Sequence, residues 1–332
     1  MIFGESGAKD LYRKVVWGPL RQGLEAAPVL WEVRGVRAMG RAAGLAMGGK
    51  VRHVRDNLHR GLGDRDDLDR LARDTFATHF GNQYIGFLFG KCTADTWPRY
   101  LELRGLEHLR AAAALGRGVV LTHPHMGPAQ LPLHVLGLLG WPMHQVGGGR
   151  VVAVELSETG RWAAATRAAL EDRIQATLHD GGRFLRPVLR ALQAGEVVMT
   201  ACDGTGGGEE LGRRVVQPVL GQPMGIPRGP VWMAWKSGAP LLTVRTFRNR
   251  GPAGPRTDGG QGRAWFVAEI GPPLEFQRDG GKEEVFASGT AAIAAYLTDS
   301  LARYPGDWHF WDSFEPGGLL VADHPTDGGE DR

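Results

Sequence analysis

The sequence predicts an α/β fold with a mixed, largely parallel sheet flanked by helices, and a helical region at its N-terminus. Three observations support this prediction. Short apolar runs alternate with helix-like stretches from residue 118 onward, as in parallel strands joined by crossover helices. The runs at 119–122, 143–146 and 196–201 are too apolar to face water, which is typical of buried parallel strands. With 42 % hydrophobic and 23 % charged residues, the composition is globular and excludes a disordered or fibrous protein.

Residues 1–63 are predicted to form a basic, amphipathic helical region. They contain 11 Lys and Arg against 5 Asp and Glu, a balance of +6, so the rest of the chain sums to −3. Large apolar residues such as Tyr12, Trp17 and Trp31 alternate with the basic ones, a pattern that suits an anionic membrane surface. Packing on the main domain is the alternative. No stretch here reaches the roughly 18–20 apolar residues of a spanning helix, and no signal peptide is recognised.

An α/β domain is predicted for residues 64–320, followed by a flexible tail at 321–332. Apolar spacing indicates helices within 64–110. The tract 118–149 contains no charged residue, but four prolines and four histidines interrupt it, which argues against a membrane span. We interpret it as a β-α-β unit with strands at 119–122 and 143–146 around a helix at 129–139.

The same alternation continues to the end of the domain. Gly/Pro-rich residues 250–262 are predicted to form a loop. The other predicted elements are helices at 160–178 and 184–194, a strand at 196–201, a glycine-rich turn at 203–208, a strand at 213–220, a helix from 227, strands at 241–247 and 264–270, and a helix at 284–303.

Chemistry-bearing residues follow two of the buried strands. His123 and His125 follow the strand at 119–122, and Asp203 follows the strand at 196–201. Open α/β sheets place their sites at the carboxyl ends of strands, so these side chains are expected to converge. A histidine there can act as a general base or bind a metal. Asp203 can orient such a histidine; the alternative is that it caps a glycine turn.

Five segments in order carry a more specific resemblance, which covers roughly residues 50–315. They are VRHVRDNLHRGLG (51–63), LRGLEHLRAAAALGRGVVLTHPHMGPAQ (103–130), LRPVLRALQAGEVVMTACDG (185–204), VLGQPMGIPRGPVWMAWKSGAPLLTV (219–244) and YPGDWHFW (304–311). Together they resemble the lipid A late acyltransferases of the lauroyl/myristoyl type. The segments are also similar to those of the phosphatidylinositol mannoside acyltransferases, which belong to the same glycerolipid acyltransferase superfamily. The resemblance implies a glycerolipid acyltransferase-like fold.

In that family an H-x4-D/E motif supplies the catalytic base. The resemblance makes His125 that histidine, but the fifth residue after it is Gln130, so the acid has become an amide. Three outcomes stay open: Asp203 replaces the acid, an amine acceptor needs little help from a base, or catalysis has been lost. A second hexapeptide, HFGNQY at 79–84, matches the motif in letters but lies in a helix-like tract, so we interpret it as a chance match.

The implied reaction is acyl transfer from an acyl-carrier protein or acyl-CoA thioester to a hydroxyl or amine, without a cofactor or metal. His125, Asp203 and Gln130 are the expected catalytic residues, and Arg150, Arg228 and His123 are the expected substrate-binding residues. A groove for the acyl chain is expected from the tract 118–149 and the helix after residue 227.

Two alternatives belong to other functional classes. One is a non-catalytic relative that binds acyl or lipid groups, suggested by Gln130. The other is a metal-dependent hydrolase that uses His123, His125 and Asp203 as ligands. A serine hydrolase is unsupported because no G-x-S-x-G motif occurs.

The expected location is the cytoplasm, with peripheral contact at the inner face of the membrane. Two cysteines cannot form a disulfide framework, which fits a reducing compartment. No nucleic-acid partner is expected, because the basic stripe does not continue beyond the N-terminal region. The oligomeric state, the acyl chain length and the acceptor are not predicted.

Overall fold

The computed structural model describes residues 7–147, 156–180, 185–203, 213–249 and 264–321. These ranges form a mixed α/β structure, which confirms the predicted fold class. Their strands are β1 (Leu101–Arg104), β2 (Val119–His123), β3 (Met143–Gly147), β4 (Thr177–Asp180), β5 (Val197–Ala201), β6 (Arg214–Val219), β7 (Gln222–Pro227), β8 (Leu241–Arg248) and β9 (Phe266–Ile270). Their α-helices are α1 (Gly7–Val15), α2 (Arg21–Ala26), α3 (Val29–Ala46), α4 (Gly48–Leu62), α5 (Leu68–Gln83), α6 (Gly86–Phe89), α7 (Leu106–Ala113), α8 (Leu131–Leu138), α9 (Glu158–Glu171), α10 (Arg186–Gln193), α11 (Gly229–Ser237) and α12 (Lys282–Arg303).

Seven strands form one sheet in the order β1-β9-β8-β2-β5-β3-β4. Neighbouring strands are parallel except β8 and β9, which run antiparallel. Strands β6 and β7 form a separate antiparallel hairpin. His123, the last residue of β2, lies opposite Ala201, the last residue of β5. The chain segments that leave these two strands therefore start side by side at one edge of the sheet.

Helices cover both faces of the sheet, which explains the uninterrupted apolar strands. On one face Val120 belongs to a buried cluster with Val231 of α11 and Leu297 of α12. On the other face Leu121 belongs to a cluster with Leu133 of α8. Strand β2 is buried along its whole length, so it holds the residues that follow it in a fixed position.

The N-terminal helices pack on this domain. Val16 and Val36 are buried in a cluster with Phe87, as the packing alternative predicted. Helices α3 and α5 approach so closely that a Cβ on Gly40 would lie 2.6 Å from the Cα of Ala77. The division of the chain at residue 63 stays a prediction.

Helix α12 is long and apolar enough to cross a membrane, and no other helix in the described ranges meets that condition. Half of its apolar window is buried inside the protein. Buried core helices pass the same test, so this helix is weak evidence for a membrane span. No candidate span is found in the described part of residues 1–63.

Three strands were missed because their sequences lack the usual signals. Strand β1 lies inside the predicted helical tract 64–110, and strand β4 overlaps the end of the predicted helix at 160–178. Each is four residues long, too short to show a period of two. Strand β7 contains Pro223, Gly225 and Pro227, which together indicate a turn. The prolines are tolerated because a two-stranded hairpin leaves one side of each strand without a ladder partner.

Candidate active site

His125 and Asp203 meet where β2 and β5 end. The backbone N–H of His125 donates to Asp203 Oδ2 at 2.8 Å, and Nδ1 of the His125 ring lies 2.8 Å from Asp203 Oδ1. Because a carboxylate only accepts hydrogen bonds, Nδ1 carries the proton and Nε2 presents a lone pair. The His125 side chain is 33 % exposed, whereas that of Asp203 is fully buried. The pair therefore offers a basic nitrogen that a substrate can reach.

Asp203 is held in its charged form. Burial by itself raises the pKa of this carboxyl, but the charge of His125 and hydrogen bonds from His125 and Trp308 outweigh burial and lower it. Trp308 Nε1 donates to Asp203 Oδ2 at 2.7 Å. An ionised carboxylate on Nδ1 stabilises the imidazolium that forms when Nε2 takes a proton.

The segment 305–311 fixes the loop that carries His125. The backbone carbonyl of Asp307 accepts from the backbone N–H of Gly127 at 2.7 Å, and the N–H of His309 donates to the carbonyl of His125 at 3.0 Å. Nε2 of His309 also donates to the carbonyl of Gly127 at 2.9 Å. The roles of Trp308 and His309 were missed; the only signal was that both belong to the closing motif YPGDWHFW.

His123 lies beside the pair. Its ring centre is 5.7 Å from that of His125, and the ring of Phe310 lies on His125 at 4.8 Å. Nδ1 of His123 donates to the carbonyl of Pro124 at 3.1 Å, while its Nε2 is buried and has no hydrogen-bond partner among the described residues. Burial and the neighbouring His125 lower the pKa of His123 to about 4, so His123 is a neutral acceptor near pH 7.

Buried neutral histidines predict a loss of stability in acid. Burial and the neighbouring His79 lower the pKa of His309 to about 3, below the unfolded value of about 6.5. The unfolded state binds the proton first as the pH falls, so the free energy of unfolding decreases below about pH 6.5. Between pH 7 and pH 5 we expect His309 to contribute a loss of about 2 kcal/mol.

Urea denaturation of His309→Gln at both pH values measures this contribution. Glutamine keeps a donor for the Gly127 carbonyl but does not titrate. The variant should lose about 2 kcal/mol less than the wild type between pH 7 and pH 5, whereas the exposed control His59→Gln should behave as the wild type. An unchanged pH dependence in His309→Gln would contradict the prediction.

The other residues that the sequence predicted for the site are not found in contact with His125 or Asp203 in the described ranges. Gln130 precedes α8, and its side chain makes no hydrogen bond within the described ranges. Arg228 forms a two-pronged ion pair with Glu283, with bonds of 3.3 and 2.9 Å; no described contact joins it to His125 or Asp203. Arg150 lies outside the described residues. The hexapeptide at 79–84 starts in α5, where the ring centre of His79 is 6.1 Å from that of His309.

A half-open pocket lies next to the loop that follows His125. The space between its walls amounts to about 730 Å³, a volume that includes open solvent. Gly127 and Pro128 form one wall, and helices α3 and α5 and the ends of β8 and β9 form the others. Apart from that wall, its lining does not come from the tract 118–149 or from α11. Met233 of α11, expected in the groove, lies instead in the core.

The pair resembles a base and its orienting acid more than a metal site. Both oxygens of Asp203 already accept hydrogen bonds from His125 and Trp308. In the part of the chain that the structure describes, no group of three His, Cys, Asp or Glu side chains could hold a metal ion.

Comparison with known proteins supplies the family. The family described as bacterial lipid A biosynthesis acyltransferase matches residues 21–311, most of the chain. The chain therefore belongs to this family, as the five segments predicted. A search of curated proteins found no match.

Proposed function

We propose that this member of the lipid A biosynthesis acyltransferase family moves an acyl chain from a thioester to a hydroxyl or amine, with His125 as general base. The family establishes acyltransferase activity and implies an acyl donor and a lipid acceptor. One observation carries the finer assignment: the partly exposed imidazole of His125 is bonded through Nδ1 to the buried carboxylate of Asp203. That arrangement supports Asp203 as the replacement for the acid that Gln130 no longer provides.

The geometry supports the following reaction. Nε2 of His125 takes the proton of the acceptor O–H or N–H as the oxygen or nitrogen attacks the thioester carbonyl. The negative charge of Asp203 stabilises the imidazolium. Collapse of the tetrahedral intermediate breaks the C–S bond and forms the ester or amide. Nε2–H of His125 then returns its proton to the leaving thiolate.

Gln130 is the candidate donor for the oxyanion. Most backbone N–H groups of the loop are already bonded within the protein, namely those of His125, Met126, Gly127, Ala129 and Leu131. Gln130 lies in the same loop, between Ala129 and Leu131. Its side-chain amide has two N–H donors without partners in the described ranges. We therefore propose that the amide binds the oxyanion, a task that the family's acid cannot perform.

Replacing Gln130 tests this role. Gln130→Glu keeps the shape but removes the donors, so kcat should fall by about 10²–10³, the usual cost of losing an oxyanion donor. The kcat of Gln130→Ala should fall by the same factor, while the kcat of the exposed control Gln193→Glu should equal that of the wild type. If Gln130→Glu retains or raises kcat, position 130 serves the base instead, and the proposed oxyanion role is wrong.

Two further residues stay proposed for substrate binding. Nε2 of His123 is a buried acceptor without a described partner, which suits a hydrogen bond from a substrate N–H or O–H other than the one whose proton His125 takes. Arg228 needs to exchange Glu283 for a substrate phosphate or carboxylate, and Arg guanidinium suits both groups. Arg150 stays a prediction from sequence alone.

A thiol-release assay tests the proposed function. Acyl-CoA and acyl-carrier protein are compared as donors, with a hydroxyl lipid and an amine as acceptors, and the acylated product is measured beside the thiol. The proposal expects thiol release that depends on the acceptor, with one product molecule per thiol. Donor binding without release from any donor would contradict it and favour a non-catalytic relative.

We also propose peripheral contact with the inner face of the membrane, where cytoplasmic thioester donors and a lipid acceptor meet. Helix α1 carries exposed Leu11 (64 %) and Val15 (48 %). It contacts α9, which exposes Trp162. The surplus of Lys and Arg in residues 1–63 adds attraction to anionic lipid.

Vesicle binding measures this contact. Leu11→Asn and Val15→Asn should each weaken binding to vesicles with anionic lipid by about ten- to a hundredfold, since burial of such a side chain contributes roughly 1.5–3 kcal/mol. Leu115→Asn is the matched control, because Leu115 is 54 % exposed in the turn that follows α7. Equal binding by all three variants and the wild type would exclude α1 as the contact.

A further inference from the structure

Two tryptophans of the closing motif are fully buried, and each indole N–H has an acceptor. Trp308 and Trp311 are both 0 % exposed, and their rings meet edge to face with centres 5.0 Å apart. Nε1 of Trp311 donates to the backbone carbonyl of Pro305 at 2.7 Å. Nε1 of Trp308 donates instead to Oδ2 of Asp203, also at 2.7 Å. A backbone carbonyl is enough to satisfy a buried indole, so burial alone does not explain why Trp308 bonds to a carboxylate.

Trp308 completes the set of donors around Asp203. Oδ2 accepts from the backbone N–H of His125 at 2.8 Å and from Trp308, while Oδ1 faces Nδ1 of His125 at 2.8 Å. Two of these three bonds come from the residue that the carboxylate has to orient. Among the described residues, Trp308 is the one that holds the carboxylate from outside His125.

The indole is itself held in place. Trp308 belongs to a buried apolar cluster, and its backbone pairs with that of Met126 in an isolated β-bridge. The next residue, His309, donates its backbone N–H to the carbonyl of His125 at 3.0 Å. One buried segment therefore positions both members of the pair, Asp203 through a side chain and His125 through the backbone.

An indole suits this position because it donates a hydrogen bond without titrating. Trp Nε1–H is a donor only and carries no charge, so it neither takes the proton of the pair nor draws the carboxylate into an ion pair. Burial raises the pKa of Asp203, and the bond from Trp308 is, after the contacts with His125, one of those that lower it. A carboxylate that shares its charge with an indole N–H attracts the imidazolium of His125 less strongly.

We propose that Trp308 is a positioning residue of the active site. Its indole N–H holds the Asp203 carboxylate with Oδ1 on Nδ1 of His125, and it limits how strongly that carboxylate stabilises the imidazolium. His125 is thereby kept from binding its proton too tightly to act as a base. The inference rests on the proposed function, in which His125 is the general base.

The other titratable groups around the pair leave the titration of His125 visible. Burial and the neighbouring His125 lower the pKa of His123 to about 4, and burial and His79 lower the pKa of His309 to about 3. Burial raises the pKa of the Cys202 thiol. Between about pH 5 and pH 8 these three groups next to the pair stay mainly neutral.

Trp308→Phe keeps an aromatic ring and removes the donor. The carboxylate should then bind the imidazolium more tightly, so the midpoint of the His125 ring titration should rise by about one pH unit. Proton NMR of the full chain measures this midpoint, and comparison with His125→Ala identifies the signal.

Kinetics should show the same change in Trp308→Phe. The acid limb of the kcat/KM profile should move to higher pH by the same amount, because His125 must lose its proton before it acts as base. At the plateau kcat should fall by about tenfold, since the carboxylate is less well oriented. KM should not change, because the buried indole does not reach the substrate.

Trp311→Phe is the matched control. It makes the same change in the same buried cluster and removes a hydrogen bond of the same length, but that bond serves the carbonyl of Pro305. Urea denaturation should show a similar loss of stability in both variants, while the midpoint in Trp311→Phe should equal that of the wild type. An unchanged midpoint in Trp308→Phe, or equal rises in both variants, would overturn the proposal.

The wild type provides a test that needs no substitution at Trp308. The indole N–H resonance of Trp308 should shift with pH at the same midpoint as the His125 ring, because a proton on that ring draws charge from Asp203 and weakens the bond from the indole. A resonance that stays constant over this pH range would contradict the proposal, even if neither Phe variant folds.

The NMR measurement also separates this inference from the proposed function. A raised midpoint in Trp308→Phe, in a protein that releases no thiol from any donor, supports the effect of Trp308 on the pair and contradicts the proposed function. Thiol release that depends on His125, together with an unchanged midpoint in Trp308→Phe, does the reverse.

Discussion

Asp203→Asn is expected to lower kcat for acyl transfer by about 10⁴-fold, the size of effect seen when an amide replaces the acid of a catalytic triad. The amide of asparagine can donate to Nδ1 of His125, which moves the ring proton to Nε2 and removes the lone pair that acts as base. It also removes the negative charge that stabilises the imidazolium. Steady-state kinetics with the preferred donor and acceptor measures the effect.

The control for Asp203→Asn separates this role from a general loss of charge. Asp299 accepts from Arg245 at 2.6 Å and from Arg303 at 2.7 Å, so Asp299→Asn also removes an ion-paired carboxylate. It should retain wild-type kcat. Circular dichroism should show both variants folded, because the amide matches the carboxylate in size. A folded Asp203→Asn enzyme with kcat within tenfold of the wild type would contradict the assignment.

His125→Ala is expected to reduce kcat by about 10⁴, the upper end of the contribution of a positioned general base, because an acid that acts only through His125 cannot cost more than His125 itself. The loss should be larger for a hydroxyl acceptor than for an amine measured above its own pKa, because a neutral amine is nucleophilic enough to attack before it loses a proton, whereas a hydroxyl needs a base to remove its proton. Parallel assays with a hydroxyl and an amine of the same chain length measure the ratio. His59→Gln, on an exposed position of α4, is the control and should leave both rates unchanged.

Equal losses with both acceptors would mean that His125 does more than remove the acceptor proton. A wild-type rate in His125→Ala with either acceptor would contradict its role as base for that acceptor.

The central strands were predictable because burial on both faces leaves an unmistakable apolar run. Strand β2 and the helix after it lie within a residue or two of the predicted bounds. The contact between His125 and Asp203 was expected for a similar reason, since parallel strands end at the same edge of a sheet. Both expectations depend on local sequence and on general sheet geometry.

Contacts between distant segments were not predictable in this way. Trp308 donates to Asp203 across 105 positions of sequence, and neither residue carries a local pattern that points to the other. Asp74 likewise sits in an ordinary helical stretch, and only the fold brings Arg37 and Arg248 to it. The closing motif YPGDWHFW indicated that its residues matter for function, but it did not indicate which residue Trp308 contacts.

The measurement that tests the account most directly is the kcat/KM of the double variant His125→Ala/Asp203→Asn, compared with both single variants and the wild type. If Asp203 acts only through His125, removing it from a protein that already lacks the base should cost almost nothing more. The double variant is therefore predicted to match His125→Ala. Losses that multiply would show that the two residues act independently, and would contradict their assignment as one catalytic pair.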